Sequence, residues 1–291
     1  MDAIGFIVTA IEPGGFLRFG PVGGWDARLL LGLPVTVMGR QPLPGLVGSR
    51  PPHVLGPELA RKVLPWEECF IDCGLPEEEL RRQVRVGDLI APRREFLRLQ
   101  GRRCAGRALD NRVSLAAVIL AVQALAARRH EAEILVLATA KEEVGGGGAG
   151  PGVWGLEADA AIVLDVTFAT QPGLSDAPGS LGGGPLIGLG PNLHPAVEAR
   201  LRRLALAAEL KHGREPLPGS SGTDAWAMQV SASGLPCGLL SVPIRYMHST
   251  VEMVDLTDLE RAARLVADFA ANFDAAFTAD LIPELHDVSF D

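Results

Sequence analysis

The pattern of residues changes at Gly101, and this change constrains the fold more than any other feature of the sequence. Residues 7–96 carry short runs of strand-forming residues separated by glycine and proline turns. The stretch 41–55 holds four prolines, which preclude a long helix there. A helix is expected only after Pro76, where three acidic residues follow in the first turn. This region predicts a small β-barrel or sandwich-like module.

Beyond Gly101, long helical patterns alternate with short apolar runs. Such alternation predicts an α/β fold with a mostly parallel sheet that is covered on both faces. Thr257, with Glu260 three residues later, is the expected cap of the last helix. The predicted helices span residues 110–129, 195–211 and 256–273, and the predicted strands span 134–138, 160–166 and 239–242.

Composition excludes several classes of function. The 291-residue chain has a net charge of -8, so it lacks the basic footprint of a nucleic-acid-binding protein. No apolar run approaches the ~20 residues that span a bilayer, and the N-terminus does not resemble a signal peptide. Of the four cysteines, only Cys69 and Cys73 are close in sequence, and no second pair completes a zinc site around them. We therefore expect reduced thiols, a cytoplasmic location, and neither nucleic-acid nor membrane partners.

Two adjacent carboxylates, Glu142 and Glu143, follow the apolar run at 134–138 and precede four glycines. Open α/β sheets bind ligands beyond the carboxyl ends of their strands, so this position favours a functional site. A solvated acidic pair on a flexible loop is the alternative, and the pair alone does not decide between them.

Three more residues could belong to such a site. Asp110 begins a helix and could simply cap it. Asp165 closes an apolar run, where a surface turn is the alternative, and His248 could be a structural histidine. Together with the glutamate pair, these residues offer the oxygen and nitrogen ligands that suit Zn²⁺, Co²⁺ or Mn²⁺. One glutamate could then bind metal while the other acts as general base towards a water whose pKa the cation lowers.

Other catalytic chemistries have little support. The sequence contains neither a GxSxG nucleophile elbow nor a P-loop, and GLGPNLHP lacks the spacing of a dinucleotide fingerprint. Glycosidases use carboxylate pairs from separated positions, whereas these two are adjacent.

Several motifs in order along the chain carry a specific resemblance: GFLRFGPVGGWDARLLLG, GRALDNR, EEVGGGGA, VLDVT, SGTDA and VPIRYMHST. In these the chain resembles the TET or glutamyl/leucyl aminopeptidase family, dinuclear metallo-aminopeptidases that have also been labelled endoglucanase M. The resemblance implies a phosphopeptidase-like α/β/α catalytic domain of the zinc-peptidase type, formed by residues 1–6 and 97–291. It implies an inserted β-barrel dimerisation domain at 7–96. It also implies hydrolysis of short peptides and dimers that assemble into a tetrahedral dodecamer.

The resemblance also assigns roles to single residues. Asp110 is the expected bridging ligand of two divalent ions, Zn²⁺, Co²⁺ or Mn²⁺. Glu142 is the expected general base. Glu143 and His248 are expected on one metal and Asp165 on the other.

Two further positions are matched by the resemblance. Asp224 in SGTDA is expected either to touch substrate or only to cap a turn. Asp2 matches an Asp that orients one more histidine ligand in the family, and that histidine would precede Met1. Either the start codon is assigned too late or one metal site is incomplete. The alternatives to an active peptidase are therefore an impaired assembly subunit and, more remotely, an endoglucanase.

Overall fold

A computed structural model of the chain describes residues 3–51, 53–55 and 62–281. Its first six strands form a closed antiparallel barrel in the order β1-β2-β5-β4-β3-β6. The described part of this region also holds one α-helix, α1 (Glu77–Gln83), and two short 3-10 helices. The predicted β-barrel is thus confirmed, while its domain bounds of 7 and 96 stay a prediction. The strands are β1 (Gly5–Glu12), β2 (Phe16–Val22), β3 (Pro34–Met38), β4 (Pro42–Ser49), β5 (Cys69–Asp72) and β6 (Leu89–Pro92).

The barrel has a hydrophobic core of its own. Alternate residues of each strand point inward, as Phe6 and Val8 do on β1, and both are almost fully buried. The ring of Phe6 packs against Phe19, Trp25 and Trp66 with centroid distances of 4.7–5.8 Å. Because the six described strands pair in a closed ring, none of them is an edge strand, which favours the stability of so short-stranded a module.

The remaining seven strands form a second sheet in the order β11-β10-β12-β13-β8-β7, with β9 pairing along β12. Only β9–β12 and β10–β11 are parallel among the described pairs. The prediction of a mostly parallel sheet is therefore wrong, because β12 turns directly into its antiparallel neighbour β13. The strands are β7 (Leu97–Arg98), β8 (Arg103–Gly106), β9 (Ala161–Phe168), β10 (Leu186–Leu189), β11 (Gly213–Pro216), β12 (Cys237–Arg245) and β13 (Glu252–Asp255).

Helices cover both faces of this sheet, as predicted. Side chains of β12 alternate between the two faces: Leu240 and Val242 pack in the core with α2, α4 and α6, and Leu239 packs with α3 and α5. None of the helices in the described ranges has the length and apolarity to cross a membrane. The helices are α2 (Leu109–Leu125), α3 (Ala149–Val153), α4 (Pro195–Ala207), α5 (Asp224–Met228), α6 (Leu256–Ala271) and α7 (Ala275–Leu281).

The cap of α6 differs from the prediction. Asp255, not Thr257, is the N-cap residue, and its carboxylate accepts a hydrogen bond from the Thr257 N–H. Asp and Thr are both good caps. The choice depends on where β13 ends, which the helical pattern alone does not specify.

The predicted strand at residues 134–138 does not form. The segment joins no strand of the described residues, and Leu135, Val136 and Leu137 are 39–55% exposed. It borders a cavity of about 600 Å³ between α2, α6 and β9. A strand needs a hydrogen-bonded neighbour as well as apolar residues, and the described part of the chain supplies none here.

Candidate functional site

Three of the predicted site residues converge from distant parts of the chain. One ligand atom each from Asp110, Glu143 and His248 lies within 4.8 Å of the other two. His248 Nε2 is 3.4 Å from Asp110 Oδ2 and 3.5 Å from Glu143 Oε2. The two carboxylate side chains are only 11% and 7% exposed, whereas the imidazole is 39% exposed. The two acids of the cluster are therefore largely buried, whereas solvent reaches the histidine.

Asp110 lies in the first turn of α2, but it does not cap the helix. The N-cap position belongs to Ala108, which adopts a left-handed conformation and makes no side-chain cap. Asp110 itself has φ -75° and ψ 107°, outside the helical region. Its carboxylate is consequently directed at His248 and not at the helix N–H groups. The capping alternative is wrong.

His248 lies in the short turn between β12 and β13. Both His248 and Tyr246 have positive φ, +60° and +57°, a conformation that is uncommon for residues other than glycine. The side chain of Gln171 accepts a hydrogen bond from the Tyr246 N–H and helps to hold the turn. The hydrogen bond to Asp110 raises the pKa of His248, and the Glu143 charge acts in the same direction. Proximity to two acids argues against a purely structural histidine.

The glutamate pair lies in a tight turn between the unpaired segment 134–138 and α3. The Glu142 carbonyl accepts hydrogen bonds from the Gly145 and Gly146 N–H groups, both at 3.1 Å. Glycine suits these positions because both have positive φ. The two acids then diverge: Glu143 joins His248, while the Glu142 charge acts on Asp165. The solvated-loop alternative does not describe Glu143, whose side chain is buried.

Asp165 differs from the prediction in its place on the strand. It lies inside β9, which continues to Phe168, and it is 7% exposed. Its Oδ1 accepts hydrogen bonds of 2.8 Å from Asn111 Nδ2 and from the Val166 N–H. Burial, with the nearby charge of Asp110, raises the pKa of Asp165 well above its ordinary 3.8. The prediction that Asp165 ends a strand and the alternative of a surface turn are therefore both wrong. Asp165 does not belong to the cluster of Asp110, Glu143 and His248.

The last two predicted residues have separate outcomes. Asp224 begins α5, is 6% exposed, and accepts a hydrogen bond from the Thr139 hydroxyl. Thr223 is the N-cap residue of α5, and its side chain accepts a hydrogen bond from the Ala225 N–H. Its charge contributes to the raised pKa of Asp165, which places it on that side of the site. Asp2 lies outside the described residues.

The structure adds residues that the sequence reasoning did not single out. Asn111, next to Asp110, fixes the Asp165 carboxylate. Glu252 is buried beside the cluster and binds the backbone of both Asp110 and His248. Gly24, in the loop after β2, lies so close that an added Cβ would be 2.8 Å from His248 Nδ1. Asn111 could have been found from its place in LDNR, whereas no local signal marks Glu252 or Gly24.

The donor set fits a divalent metal ion. Two carboxylates and an imidazole are common ligands of Zn²⁺ at catalytic sites, and three protein ligands leave a further position for water or substrate. The oxygens and the nitrogen already face one another, so an ion could be bound with small side-chain adjustments. If these residues bind a metal ion, we expect the proteins that this chain resembles to be metal-dependent.

The family described as M42 glutamyl aminopeptidase matches residues 1–265. This chain belongs to that family. The match covers the barrel as well as the sheet that carries the site, and it identifies the chain as an aminopeptidase-class hydrolase that acts on peptide bonds. M42 peptidases are metal-dependent, in agreement with the donor set above.

Relatives from archaea and bacteria share most of this M42 chain. It is 34% identical to a lysyl aminopeptidase of Pyrococcus furiosus, covering 91% of this chain and 78% of that protein. It is 27% identical to a glutamyl aminopeptidase of Lactococcus lactis, covering 90% and 76%. The two names differ in the residue removed, so membership of the family does not assign a specificity.

Solved structures confirm the α/β fold with a small barrel. A TET aminopeptidase from the marine sediment archaeon Thaumarchaeota archaeon SCGC AB-539-E09 superimposes with a TM-score of 0.90 at 30% identity, covering 97% of this chain and 82% of that one. The TET1 peptidase of Pyrococcus horikoshii, described as assembling into a tetrahedron or a large octahedral shell, gives 0.83 at 32% identity, covering 94% and 82%.

Proposed function

We propose that this M42 chain removes N-terminal residues from short peptides, with Glu142 as general base. The observation that carries the proposal is the convergence of Asp110, Glu143 and His248 within 4.8 Å, in a chain of a metal-dependent peptidase family. The partial exposure of His248 supports access of substrate to this cluster.

In the proposed site Asp110, Glu143, His248 and Asp165 would hold two divalent ions, Zn²⁺, Co²⁺ or Mn²⁺, with Asp110 as the ligand that both would share. Such ions supply Lewis acidity and lower the pKa of the attacking water towards ~7. Glu142 takes a proton from that water and delivers it to the leaving amine. Glu143 lies beside His248 while the charge of Glu142 acts on Asp165, and this supports the proposal that Glu142 lies next to the ligands. Asp224 is proposed to contact the substrate on the Asp165 side.

We also propose a homo-oligomer built from dimers through the barrel module at 7–96, up to a tetrahedral dodecamer. Support comes from the TET1 peptidase of Pyrococcus horikoshii, whose assembly into a tetrahedron is part of its description. Size-exclusion chromatography with light scattering measures the assembly directly, and a monomer at micromolar concentration would contradict this part of the proposal. The cytoplasmic location stays a prediction.

The activity is tested with a panel of aminoacyl p-nitroanilides that includes lysyl, glutamyl and leucyl substrates. The protein is first treated with a chelator and then supplied with Zn²⁺, Co²⁺ or Mn²⁺. We expect release of p-nitroaniline only after metal is restored, and none from N-acetylated substrates, which lack the free amine. A metal-loaded protein that cleaves no member of the panel would contradict the proposal. Sugar release from carboxymethylcellulose would favour the endoglucanase alternative.

A further inference from the structure

One buried carboxylate lies between the backbones of two residues of the cluster. Glu252 begins β13 and is 1% exposed. Its Oε2 accepts a hydrogen bond from the Asp110 N–H at 3.1 Å, and its Oε1 accepts one from the His248 N–H at 3.0 Å. The two ligand residues belong to distant segments of the chain. The single carboxylate of Glu252 thus forms a hydrogen bond with the backbone of each of these two residues.

Both hydrogen bonds provide an acceptor for a backbone N–H group that has no partner in a helix or a strand. The Asp110 N–H lies in the first turn of α2, where backbone donors have no partner inside the helix. The His248 N–H belongs to a turn with two residues at positive φ, between strands and outside their pairing. A buried N–H without an acceptor is unfavourable, so these turns require a partner from elsewhere. Glu252 supplies it to both with one side chain.

We propose that Glu252 is a positioning residue of the metal centre. It fixes the spacing of Asp110 and His248 by holding their backbones to the two oxygens of a single carboxylate. This inference rests on the proposed function, since it assumes that the cluster binds metal. Glu252 itself is not offered as a ligand, because both of its oxygens already accept hydrogen bonds from the protein.

The alternative is that Glu252 only stabilises the fold, and the chain contains a matched control for it. Asp258 on α6 is also fully buried, and its carboxylate accepts two backbone hydrogen bonds of 2.7 Å, from Gly182 and Gly184. Both of those amides belong to one loop, and neither carries a ligand of the cluster. Removing an acceptor at Asp258 should therefore cost stability without moving a ligand.

The test compares E252Q with D258N in the full chain. Each replaces one acceptor oxygen by an amide nitrogen that cannot accept, with little change of shape. The readouts are the Co²⁺ dissociation constant from competition with a chelator, the visible absorption spectrum of the Co²⁺-loaded protein, and the melting temperature of the metal-free protein. E252A, which removes both acceptors, is measured as well if it folds.

We expect E252Q to bind Co²⁺ about 10–100-fold more weakly, the range found when a group that orients a metal ligand is removed. Its spectrum should shift, because the geometry of the ligands changes. D258N should melt at a lower temperature but keep the wild-type Co²⁺ affinity within about twofold.

Wild-type affinity and spectrum in E252Q would overturn the inference, as would an equal loss of affinity in D258N. These results differ from a failure of the proposed function. A wild-type chain that binds no divalent ion would overturn that proposal and this inference with it, whereas a wild-type chain that binds metal beside an unchanged E252Q overturns this inference alone.

Discussion

The acidic site has two parts, and their carboxylates differ in the hydrogen bonds that they accept. On the first side, Asp110, Glu143 and His248 direct their ligand atoms at one another. On the second side, Asp165 is buried and its Oδ1 already accepts two hydrogen bonds, from Asn111 and Val166. The availability of a carboxylate as a ligand therefore depends on the hydrogen bonds around it and not on the residue type alone.

The difference has a consequence for metal affinity. Burial raises the pKa of Asp165, so in the metal-free protein this carboxyl group holds its proton to a higher pH than an exposed aspartate does. A metal ligand must be deprotonated, and binding there releases that proton against the cost of a buried charge. We therefore expect one tighter site at the three-residue cluster and one weaker site at Asp165.

The largest effect should follow from removing a ligand of the tighter site. E143A takes one of the three converging atoms away, so we expect a more than ~100-fold loss of affinity for the first metal equivalent and loss of peptidase activity. The measurement is titration with Co²⁺ under chelator competition. E157A, at an exposed position of a neighbouring loop, is the control. If E143A retained tight binding, the assignment of the tighter site would be wrong.

E142Q tests whether Glu142 acts as the general base while other residues bind the metal. Because the amide cannot accept a proton, kcat should fall by about 10²- to 10⁴-fold. Both metal equivalents should remain bound, in contrast to E143A. The pair of measurements is kcat on an aminoacyl p-nitroanilide and metal content after gel filtration. Retention of kcat in E142Q would contradict the division of roles between the adjacent glutamates.

D165N tests the second side of the site. We expect the second metal equivalent to be lost while the affinity for the first stays within about threefold of wild type. In the metal-free protein, this substitution should change how the free energy of unfolding depends on pH. A raised pKa means that the folded wild type loses stability as pH rises from about 3.8 through the folded pKa of Asp165.

D165N lacks this titration, so its free energy of unfolding relative to wild type should become more favourable as pH rises through that window. Urea unfolding of the metal-free proteins at a series of pH values measures the difference. An unchanged metal stoichiometry in D165N would show that Asp165 is not a metal ligand, and the opposite pH trend would show that the pKa of Asp165 is not raised.

The smallest effect is expected in the barrel loop that borders the tighter site. G24A places a Cβ 2.8 Å from His248 Nδ1, so the imidazole must shift. We expect a roughly 10-fold weaker affinity at the first site and little change at the second, in line with the effects of groups that orient ligands. G155A, where an added Cβ meets nothing within 4 Å, is the control. Equal affinities in all three proteins would mean that the barrel does not constrain His248.

Much of the fold could be predicted because its signals are local. The short strands of the barrel and the helix after Pro76 form where turn residues and propensities indicate them. The strand predicted at 134–138 does not form, because a strand also depends on partners that are distant in the sequence. Its apolar run satisfies the pattern of a buried strand, but pairing depends on a neighbour that the pattern cannot specify. The apolar run likewise indicates a strand that ends at Asp165, whereas β9 continues for three more residues.

The sequence by itself predicted the residue types of the candidate ligands, the order of the motifs and a small barrel or sandwich-like β module beside an α/β domain. Only the tertiary structure decided which acids meet. It brings Asp110, Glu143 and His248 together, ties Asp165 to Asn111, and sets Glu252 under two ligand backbones. The physical reason is range: propensity and periodicity act between near neighbours in the chain. Hydrogen bonds and charges act between whichever groups the folded chain brings within a few ångströms.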